Sequence, residues 1–138
     1  MSIRNIKLIN KTTYSVDRKV FIKLLDSIAQ YEKELEGKDI DVCLVGEREI
    51  KSLNKRFFGR DTVTDVLTFH SEFALLPYLG EIVINIESIM KERDSGNLEE
   101  LNRVFIHGVL HLLGFDHINT EAGKQMSDKE SFLLKNLN

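Results

Sequence analysis

One stretch of the chain, residues 104–113, is apolar on every side of a helix except at two histidines. An α-helix that is apolar all round belongs in the interior of a protein. His107 and His111 interrupt this helix, and an unpaired polar group in such a place costs about 1–3 kcal/mol. The chain must therefore fold so that this helix is central and both imidazoles meet a partner.

The spacing of the histidines indicates what that partner is. His107 and His111 are four residues apart, and such positions project from one helix face with about 5–6 Å between their Cβ atoms. Two imidazole nitrogens can then reach one ion at about 2.0–2.1 Å, the bond length of zinc. Gly114 can end the helix in the left-handed conformation of a C-terminal cap. The chain can turn back there and bring His117 to the same ion, so the pattern HxxxHxxGxxH predicts a metal site.

Three neutral histidines suit zinc, and a fourth position left for water is typical of catalytic sites. We therefore expect one Zn²⁺ per chain. Asp116, next to His117, is a candidate catalytic residue that accepts a hydrogen bond or carries a proton, or else a turn residue bonded to local backbone. Cys43, the only cysteine, is either a fourth ligand or a core residue of a strand. His70 ends a strand and lies either at the surface or in the site.

Strands and helices alternate along the rest of the chain, which predicts an α/β or α+β fold with a small sheet of about four strands. The 138 residues fit one compact domain spanning 1–138, and because a zinc ion with an open position can activate water, we expect a zinc-dependent hydrolase. The zinc site would lie at the end of the buried helix. Hydrophobic periodicity predicts strands at 3–10, 40–45, 66–69 and 81–85. It predicts helices from Ser15 to about Glu36 and at 47–58, 86–94, 98–113 and 120–137, the last with Ala122, Met126, Phe132, Leu133 and Leu137 toward the core.

A formal net charge of −3 excludes a generally basic protein that coats nucleic acid. A local basic run nevertheless lies between residues 51 and 60, with no acid in it. On a helix, Lys51, Lys55 and Phe58 share one face, and the opposite face carries Ile50, Leu53 and Phe57, which are expected to point inward. Cations beside an aromatic ring suit single-stranded nucleic acid, although a short basic run is also typical of a solvated helix face. The candidate substrate-binding residues are Lys55, Arg56 and Arg60.

The hydrophobic pattern of the sequence is not that of a targeting signal. The first residues reach charge before any apolar run, so they do not have the apolar region of a signal peptide. The apolar runs are all far shorter than a membrane span. The sequence therefore predicts a cytoplasmic protein with no membrane partner.

The same histidine spacing occurs in zinc metalloproteases, in which a glutamate after the first histidine is the general base. That position holds Gly108 here, and glycine cannot take a proton. A zinc peptidase or amidase would need a carboxylate from elsewhere in the chain, such as Glu81 or Glu121. This alternative remains open from the sequence.

The segment HGVLHLLGFDH at residues 107–117 resembles the HGxLHLxGYDH signature of the YbeY family of bacterial zinc-dependent endoribonucleases. Residues 64–69, TDVLTF, and 79–84, LGEIVI, are similar to the family's TDVLSF and LGDIVI. Further matches lie at Leu53, Asn54, Glu121, Met126 and Glu130.

The resemblance implies a mixed sheet, zinc on the three histidines, and hydrolysis of single-stranded RNA. The implied roles are maturation of 16S (small-subunit) ribosomal RNA and ribosome quality control. The implied partners are single-stranded or ribosomal RNA and ribosomal or assembly proteins, with no DNA.

The chain departs from the family pattern LNxxYRGKDxxTDVLSF at one position that bears on activity. Phe58 aligns with the arginine of that pattern, and a phenylalanine cannot neutralise a phosphate. Arg56 or Arg60 could compensate from a neighbouring position, or the activity could be weak. His70 takes the place of a proline that commonly follows this pattern in the family. A non-catalytic ribosome-assembly factor that keeps zinc for stability is therefore a second alternative, and no residue stands out as a general base.

Overall fold

A computed structural model describes residues 6–72, 77–91 and 97–137. The strands are β1 Ile6–Asn10, β2 Asp39–Val45, β3 Val66–His70 and β4 Tyr78–Asn85. The helices are α1 Arg18–Ala29, α2 Glu47–Phe58, α3 Ile86–Lys91, α4 Asn97–Leu112 and α5 Thr120–Lys135. Residues 3–5 of the predicted first strand and 92–94 of the predicted short helix lie outside the described residues.

The four strands form one mixed sheet in the order β1-β2-β4-β3. β2 pairs in parallel with β1 and with β4, whereas β3 pairs antiparallel with β4. The predicted fold class is therefore confirmed. At the β3–β4 pair, Gly80 faces His70 in register and has a φ of +144°, and a Cβ there would collide with the carbonyl oxygen of Phe69. Only glycine lets the two strands approach this closely.

The two faces of the sheet are covered differently. On one face α1 and α4 enclose the main core, where the rings of Phe21 and Phe105 lie 5.3 Å apart. On the other face, α2 packs Ile50 against a smaller cluster that includes Cys43 and Val83. Cys43 is buried on this second face, away from α4, so it is a core residue and not a metal ligand.

Helix α4 lies unusually close to the sheet at Gly108. A Cβ at this position would stand 2.8 Å from Cγ2 of Ile82, well inside the usual contact of about 3.5–4.0 Å between carbon atoms. Ile82 is fully buried in β4. The position after the first histidine therefore has no room for a side chain, which explains why it does not carry the glutamate of a metalloprotease.

The structure corrects the prediction for the first helix, which is shorter than expected. Asp17, not Ser15, caps it, because the Asp17 carboxylate accepts a hydrogen bond from the backbone N–H of Lys19 at 3.0 Å. The helix ends at Ala29 instead of Glu36. A separate 3₁₀ turn at Lys33–Leu35 then carries Leu35 into the core with no exposure.

Two aromatic residues predicted to face the core are exposed instead. Phe57 is 53% exposed, because it lies at the rim of the sheet with its ring edge-on to Phe69 at 5.3 Å. Phe132 of α5 is also exposed and packs edge-on against Tyr31. In α5, Met126 and Leu133 are the fully buried side chains. Periodicity marked the right helices but overestimated how many apolar side chains each one buries.

Candidate metal centre

The histidines of the predicted metal site come together in space. His107 and His111 lie one turn apart near the end of α4, and His117 lies in the loop before α5. One side-chain nitrogen from each falls within 4.8 Å of the other two. The Nε2 atoms of His107 and His111 are 3.1 Å apart. The chain thus builds a three-nitrogen group from one helix turn and one loop.

Glu130 of α5 holds His107 in place. Nδ1 of His107 donates a hydrogen bond to Oε1 of Glu130 at 2.9 Å, and the carboxylate side chain is only 15% exposed. Burial acts to raise the pKa of Glu130, but the hydrogen bond and the charge of His107 outweigh it, so that this pKa is lowered. The carboxylate therefore stays ionised and keeps the proton on Nδ1, which leaves Nε2 free for a metal ion.

The loop that carries His117 is shaped by backbone contacts. Gly114 has a φ of +103°, a left-handed conformation that favours glycine. Its N–H donates to the carbonyl oxygen of His111 at 3.0 Å. Asp116 accepts a hydrogen bond from the backbone N–H of His117 at 2.6 Å. Asn119 then caps α5 by accepting from the N–H of Ala122 at 2.8 Å. The turn predicted after Gly114 is present.

The chemistry of this group fits a metal ion. Burial, and after it the charge of His107, lowers the pKa of His111, so its ring is neutral at pH 7 and can bind a cation. Tetrahedral zinc with bonds of about 2.0–2.1 Å would separate its nitrogen ligands by about 3.3 Å, close to the distance between the Nε2 atoms of His107 and His111. Three nitrogens with no thiolate are the donor set of several catalytic zinc sites.

A cleft of about 600 Å³ opens beside the histidines. It lies between the end of α2, the edge strand β3 and the end of α4, and its lining consists of Asn54, Phe58, Arg60, Thr64, Val66, Leu67, Thr68, His70, His107, His111 and Asp116. His70 ties β3 to α4, because its Nε2 donates to the carbonyl oxygen of His111 at 2.8 Å. His107 and His111 therefore border an open space large enough to admit a ligand.

The predicted substrate-binding residues separate into two groups. Arg60 lines the cleft with the histidines. Lys55 is 68% exposed, with its Nζ 4.0 Å from the carboxylate of Asp61. Arg56 lies over the ring of Phe57 at 5.1 Å and lines a different groove, on the sheet face that α2 covers. The structure thus brings Arg60 to the histidines and leaves Lys55 and Arg56 outside the cleft lining.

The carboxylates considered for a peptidase lie elsewhere. Glu81 lines the groove on the opposite face of the sheet, where burial, then the charge of Asp41, raises its pKa. Glu121 is exposed in the first turn of α5. The sequence analysis assigned no role to Glu130, although the match to the family pattern at Glu130 was a signal that could have identified it. For His70 it left a surface position and a site position both open.

Comparison with known proteins agrees with this site. The family model described as Endoribonuclease YbeY matches residues 4–138. An Endoribonuclease YbeY of Mycoplasma mobile is 33% identical over 97% of this chain and 95% of its own length. That of Nautilia profundicola is 39% identical over 94% and 88%. A solution structure of a Thermotoga maritima protein, 30% identical, superimposes with a TM-score of 0.63 over 96% of this chain and 89% of the other. The chain therefore belongs to the YbeY family.

Proposed function

We propose that the chain is a zinc-dependent endoribonuclease that cuts single-stranded RNA. The observation that carries the proposal is the three-nitrogen group within 4.8 Å, open to a cleft that Arg60 also lines. The names of the relatives support RNA as the substrate class. By the same family membership we propose maturation of small-subunit ribosomal RNA and ribosome quality control, in the cytoplasm, with ribosomal or assembly proteins as partners.

In this proposal zinc, when bound, supplies a Lewis acid that polarises a phosphoryl oxygen and lowers the pKa of water. The residues that hold it are His107, His111 and His117, and Glu130 orients His107. Arg60 binds a backbone phosphate in the cleft through its guanidinium. Lys55 and Arg56, which lie outside the cleft lining, bind phosphates farther along the RNA chain. Asp116, whose carboxylate already holds the N–H of His117, carries a proton to or from the reacting oxygen.

The phosphodiester can be broken in two ways that leave different ends. Direct attack by water adds its oxygen to phosphorus and leaves a phosphate on one end and a hydroxyl on the other. Attack by the ribose 2′-OH expels the 5′ oxygen and leaves a 2′,3′-cyclic phosphate. Analysis of the cleaved ends separates the two, and a cyclic phosphate would exclude direct attack by water as the only step.

The decisive experiment is cleavage of a single-stranded RNA by zinc-loaded protein, with metal-stripped protein and a folded His111→Ala variant beside it. Cleavage is expected to follow the zinc and to disappear in the variant. Arg60→Gln should lower kcat/KM by about 10- to 100-fold, as expected for the loss of a charge-assisted hydrogen bond. Arg56→Gln, four residues earlier in the last turn of α2, is the matched control and should lower kcat/KM by only a few fold.

Three results would contradict the proposal. Zinc bound at one equivalent with no cleavage would favour the non-catalytic assembly factor. Peptide turnover without RNA cleavage would favour the peptidase. Cleavage that survives in folded His111→Ala protein would show that the histidine group is not the active site.

A further inference from the structure

Phe58 places a large apolar ring in the polar cleft. It is the last residue of α2, it is 48% exposed, and it lines the cleft together with His107, His111 and Arg60. The ring of Phe69 supports it, with ring centroids 5.6 Å apart and planes tilted by 40°. An aromatic side chain half exposed beside a candidate active site has a free surface that the fold itself does not use.

Hydrogen bonds hold the backbone that carries Phe58 and Arg60 in a defined turn. Gly59 is left-handed, with a φ of +71°. Its N–H donates to the carbonyl oxygen of Lys55 at 3.1 Å, and the N–H of Arg60 donates to that of Asn54 at 3.2 Å. The buried Asn54 side chain also donates to the carbonyl oxygen of Thr62 at 3.1 Å. The end of α2 and the loop after it thus form one hydrogen-bonded unit.

A flat apolar ring and a guanidinium that line the same cleft match the two parts of a nucleotide. A nucleobase stacks on an aromatic face, and its phosphate pairs with a cation. We propose that Phe58 stacks on an unpaired nucleobase of the RNA and so positions the chain of the substrate in the cleft. The inference rests on the proposed function, which supplies the RNA. Because bases inside a duplex are already stacked on one another, this contact favours single-stranded substrates.

The neighbouring Phe57 offers a matched control. It has similar exposure, 53%, and it contacts the same Phe69 ring, at 5.3 Å. However, it lines the groove of about 450 Å³ on the opposite face of the sheet, with Cys43 and Glu81. The two phenylalanines therefore differ mainly in whether they face the histidines.

The test measures binding of a short single-stranded RNA that contains 2-aminopurine to metal-stripped protein, so that binding is read without cleavage. Stacking on Phe58 should quench the fluorescence of the modified base. Phe58→Ala should weaken binding by about 5- to 100-fold, the usual effect of removing one stacking partner, and abolish the quenching. Phe58→Trp should bind as well as the parent protein. Phe58→Leu, which keeps the bulk but not the aromatic face, should behave like Phe58→Ala, and Phe57→Ala should leave binding and quenching unchanged.

Urea unfolding of each variant shows that the fold is retained. Equal losses in Phe58→Ala and Phe57→Ala, or normal binding and quenching by Phe58→Leu, would overturn the stacking proposal. Cleavage of RNA by zinc-loaded protein that is unaffected in Phe58→Ala would overturn it while leaving the nuclease proposal intact. If the quenching depends on Phe58 but the zinc-loaded protein does not cleave RNA, the stacking proposal would be supported and the nuclease proposal would be excluded. An absence of RNA binding by the parent protein would overturn both.

Discussion

Replacing Gly108 with alanine tests how closely α4 lies against the sheet. The new Cβ would stand 2.8, 3.2 and 3.3 Å from three side-chain carbons of Ile82. Ile82 is fully buried in the middle of β4, so its side chain cannot swing into solvent. Either the helix or the isoleucine must move, and both are packed on all sides.

The size of the effect follows from two opposing contributions. Overpacking a filled core costs about 1–3 kcal/mol, whereas alanine favours a helix over glycine by about 0.8–1.0 kcal/mol. Gly108→Ala should therefore lower the free energy of unfolding by up to about 2 kcal/mol. Gly123→Ala in α5 provides the matched control, because its Cβ would meet only His117, at the ordinary distances of 3.4 Å from Nδ1 and 4.0 Å from Cα. That variant should gain about 0.8–1.0 kcal/mol.

The assay is urea unfolding of both variants in the metal-stripped state, followed by circular dichroism. The two free energies of unfolding should differ by about 1–3 kcal/mol, which is the packing contribution alone. Combining Gly108→Ala with Ile82→Val should cost less than the sum of the two single changes, because valine lacks the Cδ1 atom that lies 3.2 Å from the new methyl group. If Gly108→Ala stabilised the protein as much as Gly123→Ala, the close approach of α4 to β4 would be refuted.

Three further predictions concern other parts of the molecule. Glu130→Gln should weaken zinc binding by about 10- to 100-fold, measured by competition with a chelator, whereas Glu121→Gln on the same helix should leave it unchanged. Burial, followed by the charge of Asp41, raises the pKa of Tyr78 to about 12. The alkaline absorbance titration of the parent protein minus that of Tyr78→Phe should therefore have its midpoint at about pH 12. A midpoint near the ordinary value of about 10 would contradict this. Because the unfolded state loses that proton first, Tyr78 should also make the free energy of unfolding fall as the pH rises from about 10 toward about 12. Gly59→Ala should destabilise the fold by about 1–2 kcal/mol, because alanine is strained in the left-handed backbone conformation of this position. A Cβ there has no atom within 4 Å, so no steric clash adds to this strain. An unchanged urea midpoint would argue against it.

The sequence was most informative where one pattern had a single physical solution. A helix that is apolar all round with histidines at i and i+4, followed by a glycine, has few ways to satisfy both imidazoles, and the predicted group His107, His111 and His117 is confirmed as a cluster. The end of α2 at Phe58 was also predicted correctly, from hydrophobic periodicity, and the structure shows that Gly59 ends the helix there with the left-handed backbone of a cap.

Features that depend on contacts between residues distant in the chain were not predicted from the sequence. Glu130 lies 23 residues from His107, and no local rule links a helix surface glutamate to a distant imidazole. Phe57 was predicted to face inward because periodicity cannot show that α2 covers only part of its sheet face. Ser15 and Asp17 are both acceptable helix caps, and the structure uses Asp17. The roles of Asp116, Lys55, Arg56 and Arg60 stay predictions that the variants above can test.

The candidate metal centre is divided between α4, which carries His107 and His111, and the segment formed by α5 and the loop before it, which carries Glu130 and His117. This division has a consequence for the dynamics of the centre. α4 is anchored deep in the core, whereas α5 fully buries only Met126 and Leu133 of its 16 residues. Local unfolding of α5 would withdraw Glu130 and release the loop of His117 in one event, so the opening of this helix is the natural route for an ion to leave. Conversely, an ion bound only to the closed form stabilises that form by mass action. Amide hydrogens of α5 should therefore exchange more slowly with zinc present, while those of β2 in the core change little.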